Sequence, residues 1–191
     1  FHFSADQLVI GMIAQLIPRK GHRTLFEALP AVLYQYPAAR VLILGQGPLK
    51  AELEALLSQH AWGDRVLLAG FRSDMERIVP CLDILVHPAQ MEGLGVSLLE
   101  ASASAVPIIA SRVGGIPEVV RPGLTGELIA VNDSQALRDY LLALLADPDL
   151  RRRYGEAGRC RVLDQFSIPR MVRDNHRLYA EQVSAAITER P

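Results

Sequence analysis

The sequence predicts an α/β fold, a three-layer sandwich on a six-stranded parallel sheet with additional helices at its C-terminal end. Three observations predict it. Six short apolar runs, at 8–14, 40–44, 65–69, 83–87, 107–111 and 127–130, each read as a strand buried on both faces, the last more weakly. Amphipathic stretches at roughly 23–36, 49–60, 74–81 and 96–105 lie between them, and this alternation implies parallel strands joined by right-handed crossovers. After Asn132 the pattern turns to helix alone.

The elements follow in order. The first strand and helix are separated by a turn ending in Gly21, and the second pair by Gly45-Gln46-Gly47-Pro48. Ser73 ahead of Asp74-Met75-Glu76 predicts a capping box for the third helix. Segments 134–146, 148–163 and 169–186 open on Asp, Ser or Pro, as helices do, and should pack over one face or wrap the domain. The chain has 191 residues, half of them hydrophobic, and a net charge of −1, which suits one compact domain with a real core and no electrostatic commitment to nucleic acid. No segment approaches the roughly 18 to 20 apolar residues of a membrane span, and no leader resembles a signal peptide. A cytoplasmic setting is expected. Cys81 and Cys160, with no Cys or His near them at ligand spacing, are expected to be free thiols, with no metal site. The start at Phe1 reads as a piece of a longer protein.

The segment from Glu92 to Glu100 carries the most chemistry. Glu92-Gly93-Leu94-Gly95 places glycines where strand becomes helix, and Val96, Leu99 and Ala103 continue with helical spacing. Unpaired amides and the positive dipole end at such a junction can hold a diphosphate. Gly95 to Glu100 spans roughly 7 to 8 Å along a helix axis, comparable to a pyrophosphate, so one carboxylate can serve hydroxyls at each end. Glu100 stands among Leu98, Leu99, Ala101 and Ala103, where an unpaired carboxylate is costly to bury and a ligand hydroxyl would satisfy it.

In open α/β sheets ligands bind beyond the carboxyl ends of the strands, so the other strand-to-helix loops matter too. Arg19 and Lys20 before Gly21 oppose the helix dipole, which suits either a bound anion or a solvated basic turn. Gly45 and Gly47 permit close approach of a ligand to the backbone. Lys50 occupies the third glycine of a dinucleotide fingerprint, which argues against NAD. Gly70-Phe71 either presents a ring and backbone groups to a base or turns the chain with Phe71 in the core. Gly114-Gly115 before Ile116-Pro117-Glu118 either brings amides to a phosphate or turns the chain.

Taken together, Pro18-Arg19-Lys20-Gly21, Gly45-Gln46-Gly47-Pro48, Val66 to Phe71, Met91-Glu92-Gly93-Leu94-Gly95 through Glu100, Pro107 to Ser111, Gly114 to Glu118 and Gly123 to Gly126 resemble, in order and spacing, the C-terminal half of retaining GT-B glycosyltransferases of the group 1, family four type. The resemblance covers nearly the whole chain. It implies a Rossmann-like domain that binds the donor, a UDP- or GDP-sugar, with no cofactor or obligatory metal. Lys20 matches the lysine on the donor diphosphate, with Arg19 as helper. Gly93, Leu94, Gly95 and Val96 match the backbone cradle, Glu92 the carboxylate at the donor sugar, Glu100 the ribose ligand, and Leu68, Gly70 and Phe71 the region meeting the nucleobase.

Two departures are visible. Relatives usually carry an arginine where this chain has Gln15, and losing such a donor to the leaving group reduces turnover by a factor on the order of 10² to 10³ unless something compensates. Ala105 stands where relatives commonly have glycine, read as a packing change. The domain division expected is a leader at 1–7, a nucleotide-sugar-binding domain at 8–165 and a helix at 166–191 crossing back to an N-terminal domain that the chain lacks. That domain would carry most of the site for a glycan or lipid-linked acceptor and any contact with the inner face of a membrane, so the isolated chain would bind nucleotide weakly and transfer nothing. The alternatives to a hexosyl transferase are a catalytically silent nucleotide-sugar-binding module, which Gln15 favours, and another GT-B enzyme such as a nucleotide-sugar epimerase.

Overall fold

The computed structural model describes every residue except 2, 5 and 189–191. Six parallel strands form one sheet: β1 (Val9–Ile13), β2 (Arg40–Leu44), β3 (Val66–Gly70), β4 (Ile84–His87), β5 (Ile108–Ser111) and β6 (Gly126–Ile129). Their order is β3-β2-β1-β4-β5-β6. Five helices link them: α1 (His22–Gln35), α2 (Lys50–Ser58), α3 (Met75–Ile78), α4 (Val96–Ala103) and α5 (Ile116–Val119). Three more follow: α6 (Ser134–Ala146), α7 (Pro148–Gln165) and α8 (Ile168–Thr188). The sequence-predicted elements are all present, with ends shifted by a few residues at most.

Side chains alternate across the strands, as a period of two requires. Ile10, Val41, Ile43, Ile84 and Ile109 pack with Leu25 and Leu29 of α1 and Leu137 and Leu141 of α6. Val9, Leu42, Leu85 and Ile108 pack on the opposite face with Leu98 of α4, Ile116 of α5 and Val162 of α7. The helices after Asn132 therefore divide between the two faces. The expectation that every strand is buried on both faces fails at the edge strand β3, where only Val66 is buried, whereas the other edge strand, β6, keeps three of its four residues buried.

Caps at α6 and α7 form as the sequence predicts: Asp133 Oδ1 accepts from the Ala136 amide at 2.9 Å, and Asp147 Oδ1 from the Leu150 amide at 2.8 Å. The capping box at Ser73 does not form. Asp74 takes the N-cap position of α3 without a side-chain cap bond, because its carboxylate is held by Arg72 at 2.8 and 2.7 Å. Ala105 is also corrected: its φ of 58° places it in the left-handed conformation at the end of α4. Ala105 N donates to Ser102 O and Val106 N to Ala101 O, the paired bonds of a turn that favours glycine. The departure is thus one of backbone conformation. Beyond Ser167, α8 runs with Ile168, Met171, Val172, Leu178 and Tyr179 all exposed, on a face at helical spacing.

Candidate functional site

Strand order reverses between β1 and β4. Connections from β1 and β2 lead outward to β3, whereas those from β4 and β5 lead the other way to β6, so the loops leaving β1 and β4 diverge and open a crevice between them. Gln15, Arg19, Lys20, Glu92 and the glycines of residues 93–95 all lie on these two loops.

The crevice walls are stitched by backbone contacts. Gly21, at φ 77°, caps the start of α1, and a Cβ there would overlap the Pro88 carbonyl. The Gln90 amide donates to the Arg19 carbonyl at 2.8 Å, and the Gln90 side-chain amide to Asn132 Oδ1 at 3.0 Å. Gly114 and Gly115 pack on the turn at Glu92 and Gly93, with the Gly115 amide 2.6 Å from the Gly93 carbonyl. Of the two readings open in the sequence, this pair buttresses the turn. Gly45 and Gly47 abut the carbonyls of Ala14 and Leu16, so their missing side chains admit the chain's own β1 loop.

At the N-terminus of α4, Gly95 has φ 81° and Leu98 is fully buried, so the helix start is anchored in the core. Among the described residues, the amides of Leu94, Gly95, Val96 and Ser97 donate to no protein acceptor. They are free for an anion. Beside them Lys20 Nζ lies 2.6 Å from Glu92 Oε2, with both side chains about 15% exposed. His87 Nε2 lies 2.8 Å from the same oxygen, and the Gly93 amide 3.1 Å from Oε1. A carboxylate only accepts, so Nε2 of His87 carries the proton.

Electrostatics follow from these contacts. Burial pushes the Glu92 carboxyl up, but hydrogen bonds from Lys20 and His87 outweigh it and hold Glu92 below the usual carboxylate range. Burial pushes His87 below the ordinary histidine value, and the Lys20 charge adds to that against the pull of Glu92. His22, at the first position of α1, is only 1% exposed with neither ring nitrogen hydrogen-bonded, and burial above all pushes it down to about 4.

Glu100 is exposed, contrary to the sequence expectation of burial among apolar neighbours. It borders an open cavity of about 690 Å³ with Phe71, Arg72, Ser73 and Ala103. Phe71, Arg72 and Met75 also line an adjoining cavity of about 310 Å³ with Gln15, Gly45 and Gln46. Phe71 is 69% exposed, so it is not a core ring. The structure thus joins Lys20 to Glu92, and Phe71 to Glu100 on one side and to Gln15 and Gly45 on the other. Arg19 is exposed at the crevice rim. Leu68 is not brought to these cavities, since its side chain packs into the core on the α1 face. Gly70 serves through its backbone, its carbonyl accepting from the Gly45 amide at 2.8 Å. His87 was missed as a site residue, although a histidine ending an apolar strand at its carboxyl end is a signal that could have found it.

The family model for glycosyl transferases group 1 matches residues 2–161. The chain belongs to that family. Within the group 1 glycosyl transferases it is 36% identical over 172 residues to a GDP-mannose-dependent monoacylated alpha-(1-6)-phosphatidylinositol monomannoside mannosyltransferase of Corynebacterium glutamicum, covering 86% of this chain and 45% of the relative. The chain spans about half the length of the curated relatives it matches. The solved C-terminal domain of the group 1 protein LpcC from Francisella tularensis superposes with a TM-score of 0.78 at 29% identity, covering 84% of this chain and 87% of that one. TarM from S. aureus, solved in complex with UDP, superposes with a TM-score of 0.85 at 22% identity over 93% of this chain and 36% of its own, a likeness of fold. The Rossmann-like sheet is that of a GT-B half. Among the described residues no helix is long and apolar enough to cross a membrane.

Proposed function

We propose that this chain is the donor-binding half of a retaining glycosyltransferase that moves a hexosyl group from a nucleoside diphosphate to a glycan or lipid-linked acceptor. The observation that carries this reading is the row of free amides from Leu94 to Ser97 beside the Lys20 ammonium, with one carboxylate at each end. Amides and ammonium together take the diphosphate, whose charge grows as it leaves. Glu92 meets the sugar hydroxyls and Glu100 the ribose, while the base lies against Phe71. Arg19 supplements Lys20. The base is uracil or guanine, a choice favoured by relatives and neighbours that use GDP-mannose or bind UDP.

The exposed apolar face of α8 supports the division proposed from sequence, with the helix from 166 onward crossing to an N-terminal domain that carries the acceptor site and any membrane contact; 189–191 of that division, and 2 and 5 of the leader at 1–7, lie outside the described residues. The 191-residue chain alone then binds nucleotide and transfers nothing. Calorimetric titration with UDP, GDP and ADP tests this. One nucleotide should bind, more weakly in Lys20→Ala and Glu100→Ala; binding that neither variant weakens would place the site elsewhere.

A second reading, a nucleotide-sugar-binding module without turnover, is favoured by Gln15. Arg72 shares a cavity with Gln15 but is committed to Asp74. Sugar transfer by the full-length protein would exclude this reading.

A further inference from the structure

His87 ends β4 and is held in the sheet, where it pairs in register with Ala110 of β5. The residue is 2% exposed, its ring Nε2 bonded to Glu92 and its Nδ1 buried without a partner. Glu92 is thus fixed by three donors of different mobility. The Lys20 ammonium sits at the end of a flexible stem, and the Gly93 amide belongs to the same turn as Glu92 and moves with it. Only the His87 ring is anchored in the sheet.

These donors respond differently to an arriving diphosphate. The anion competes with Glu92 for the Lys20 ammonium, and if Lys20 were the carboxylate's sole anchor, Glu92 would swing free at the moment it is needed. We propose that His87 is the positioning residue for Glu92: its Nε2–H holds Oε2 in place when the diphosphate draws Lys20 away, keeping the carboxylate turned toward the donor sugar. The inference rests on the reading of this crevice as the donor site. His87 itself touches neither phosphate nor base. Its role separates two functions of the crevice, since losing His87 should leave diphosphate capture by Lys20 and the α4 amides intact while loosening the hold on the sugar.

Isothermal titration of wild type, His87→Leu and His87→Gln with UDP, UDP-glucose, GDP and GDP-mannose reads this separation. His87→Leu should weaken the preferred sugar nucleotide about tenfold, the scale of one lost hydrogen bond to a charged group. Affinity for the matching bare nucleoside diphosphate should stay unchanged. His87→Gln, whose side-chain amide donates from a similar position, should recover most of the loss. Equal weakening of both ligands, or no weakening of either, overturns the role of His87 and leaves the donor site standing. Failure of every probe to bind wild type overturns the donor site and the role of His87 with it. Should His87→Leu not fold, the imidazole nitrogen spectrum of wild type decides: Nε2 should stay protonated and Nδ1 bare at neutral pH before and after UDP or GDP is added, and loss of the Nε2 proton signal on addition overturns the proposal.

Discussion

The two ends of α4 place their carboxylates in opposite circumstances. Glu92, in the turn before the helix, is about 15% exposed and tied to Lys20, His87 and the Gly93 amide. Glu100, on the helix, is exposed on the rim of an open cavity. The first is preorganised by the protein, so its contribution is set before any ligand arrives. The second gains fixed partners only from a ligand. Changes to the contacts of Glu92 should therefore alter binding and stability together, whereas changes to the Glu100 carboxylate itself should alter binding alone.

The largest expected effect is at Lys20. Lys20→Ala removes the cation facing the diphosphate and one of three donors to a largely buried carboxylate, so nucleotide affinity should fall by roughly 2 to 3 kcal/mol, and stability should fall with it. Calorimetry paired with urea unfolding would show both, and a loss confined to stability would mean that Lys20 does not face the diphosphate.

Acid should unlock the same end of the molecule. His22 has its pKa pushed down to about 4 in the fold, below the ordinary 6.5. The unfolded chain therefore takes up a proton first as pH falls, and stability drops across that window by at most about 3 kcal/mol. Glu92, also lowered, adds to the loss at more acid pH. Urea midpoints between pH 7 and 4 should fall, and His22→Leu should flatten the slope while costing little at pH 7, since it replaces an unpartnered buried polar ring. An unchanged slope would show that His22 is not held neutral.

Glu100→Gln should weaken nucleotide binding about tenfold with no change in urea midpoint, as expected for an exposed side chain that acts on a ligand. A shift in midpoint would mean that Glu100 has a structural partner. The smallest effect lies just past the same helix. Ala105→Gly should stabilise the fold by about 0.5 to 1 kcal/mol, because the left-handed backbone at 105 suits glycine better than alanine, and the gain is reduced by the entropy glycine adds to the unfolded chain. Thermal melting checks it, with nucleotide affinity unchanged.

Much of this was legible in the sequence. Strands and helices declared themselves through apolar period and length, and Glu92-Gly93-Leu94-Gly95 marked the strand-to-helix junction that the structure places at the crevice. Three features were not legible, each for a physical reason. The exposure of Glu100 was misread from its immediate neighbours, whereas on a helix the buried stripe follows Leu98, Ala101 and Ser102 and position 100 falls off it. The Ser73 cap lost to a local ion pair between Arg72 and Asp74. His87 reads as one more strand residue until the strand order is known, because only the reversal between β1 and β4 brings Lys20, His87 and Glu92 together.

Backbone amide shifts of the ¹⁵N-labelled chain, followed as UDP or GDP is added, show where the diphosphate binds. The largest changes should fall on the amides of residues 93–97 and on Lys20, with a smaller set at Gly70 and Phe71. Saturable changes centred instead on the groove between α1 and α2, with residues 93–97 undisturbed, would contradict a donor site at the start of α4.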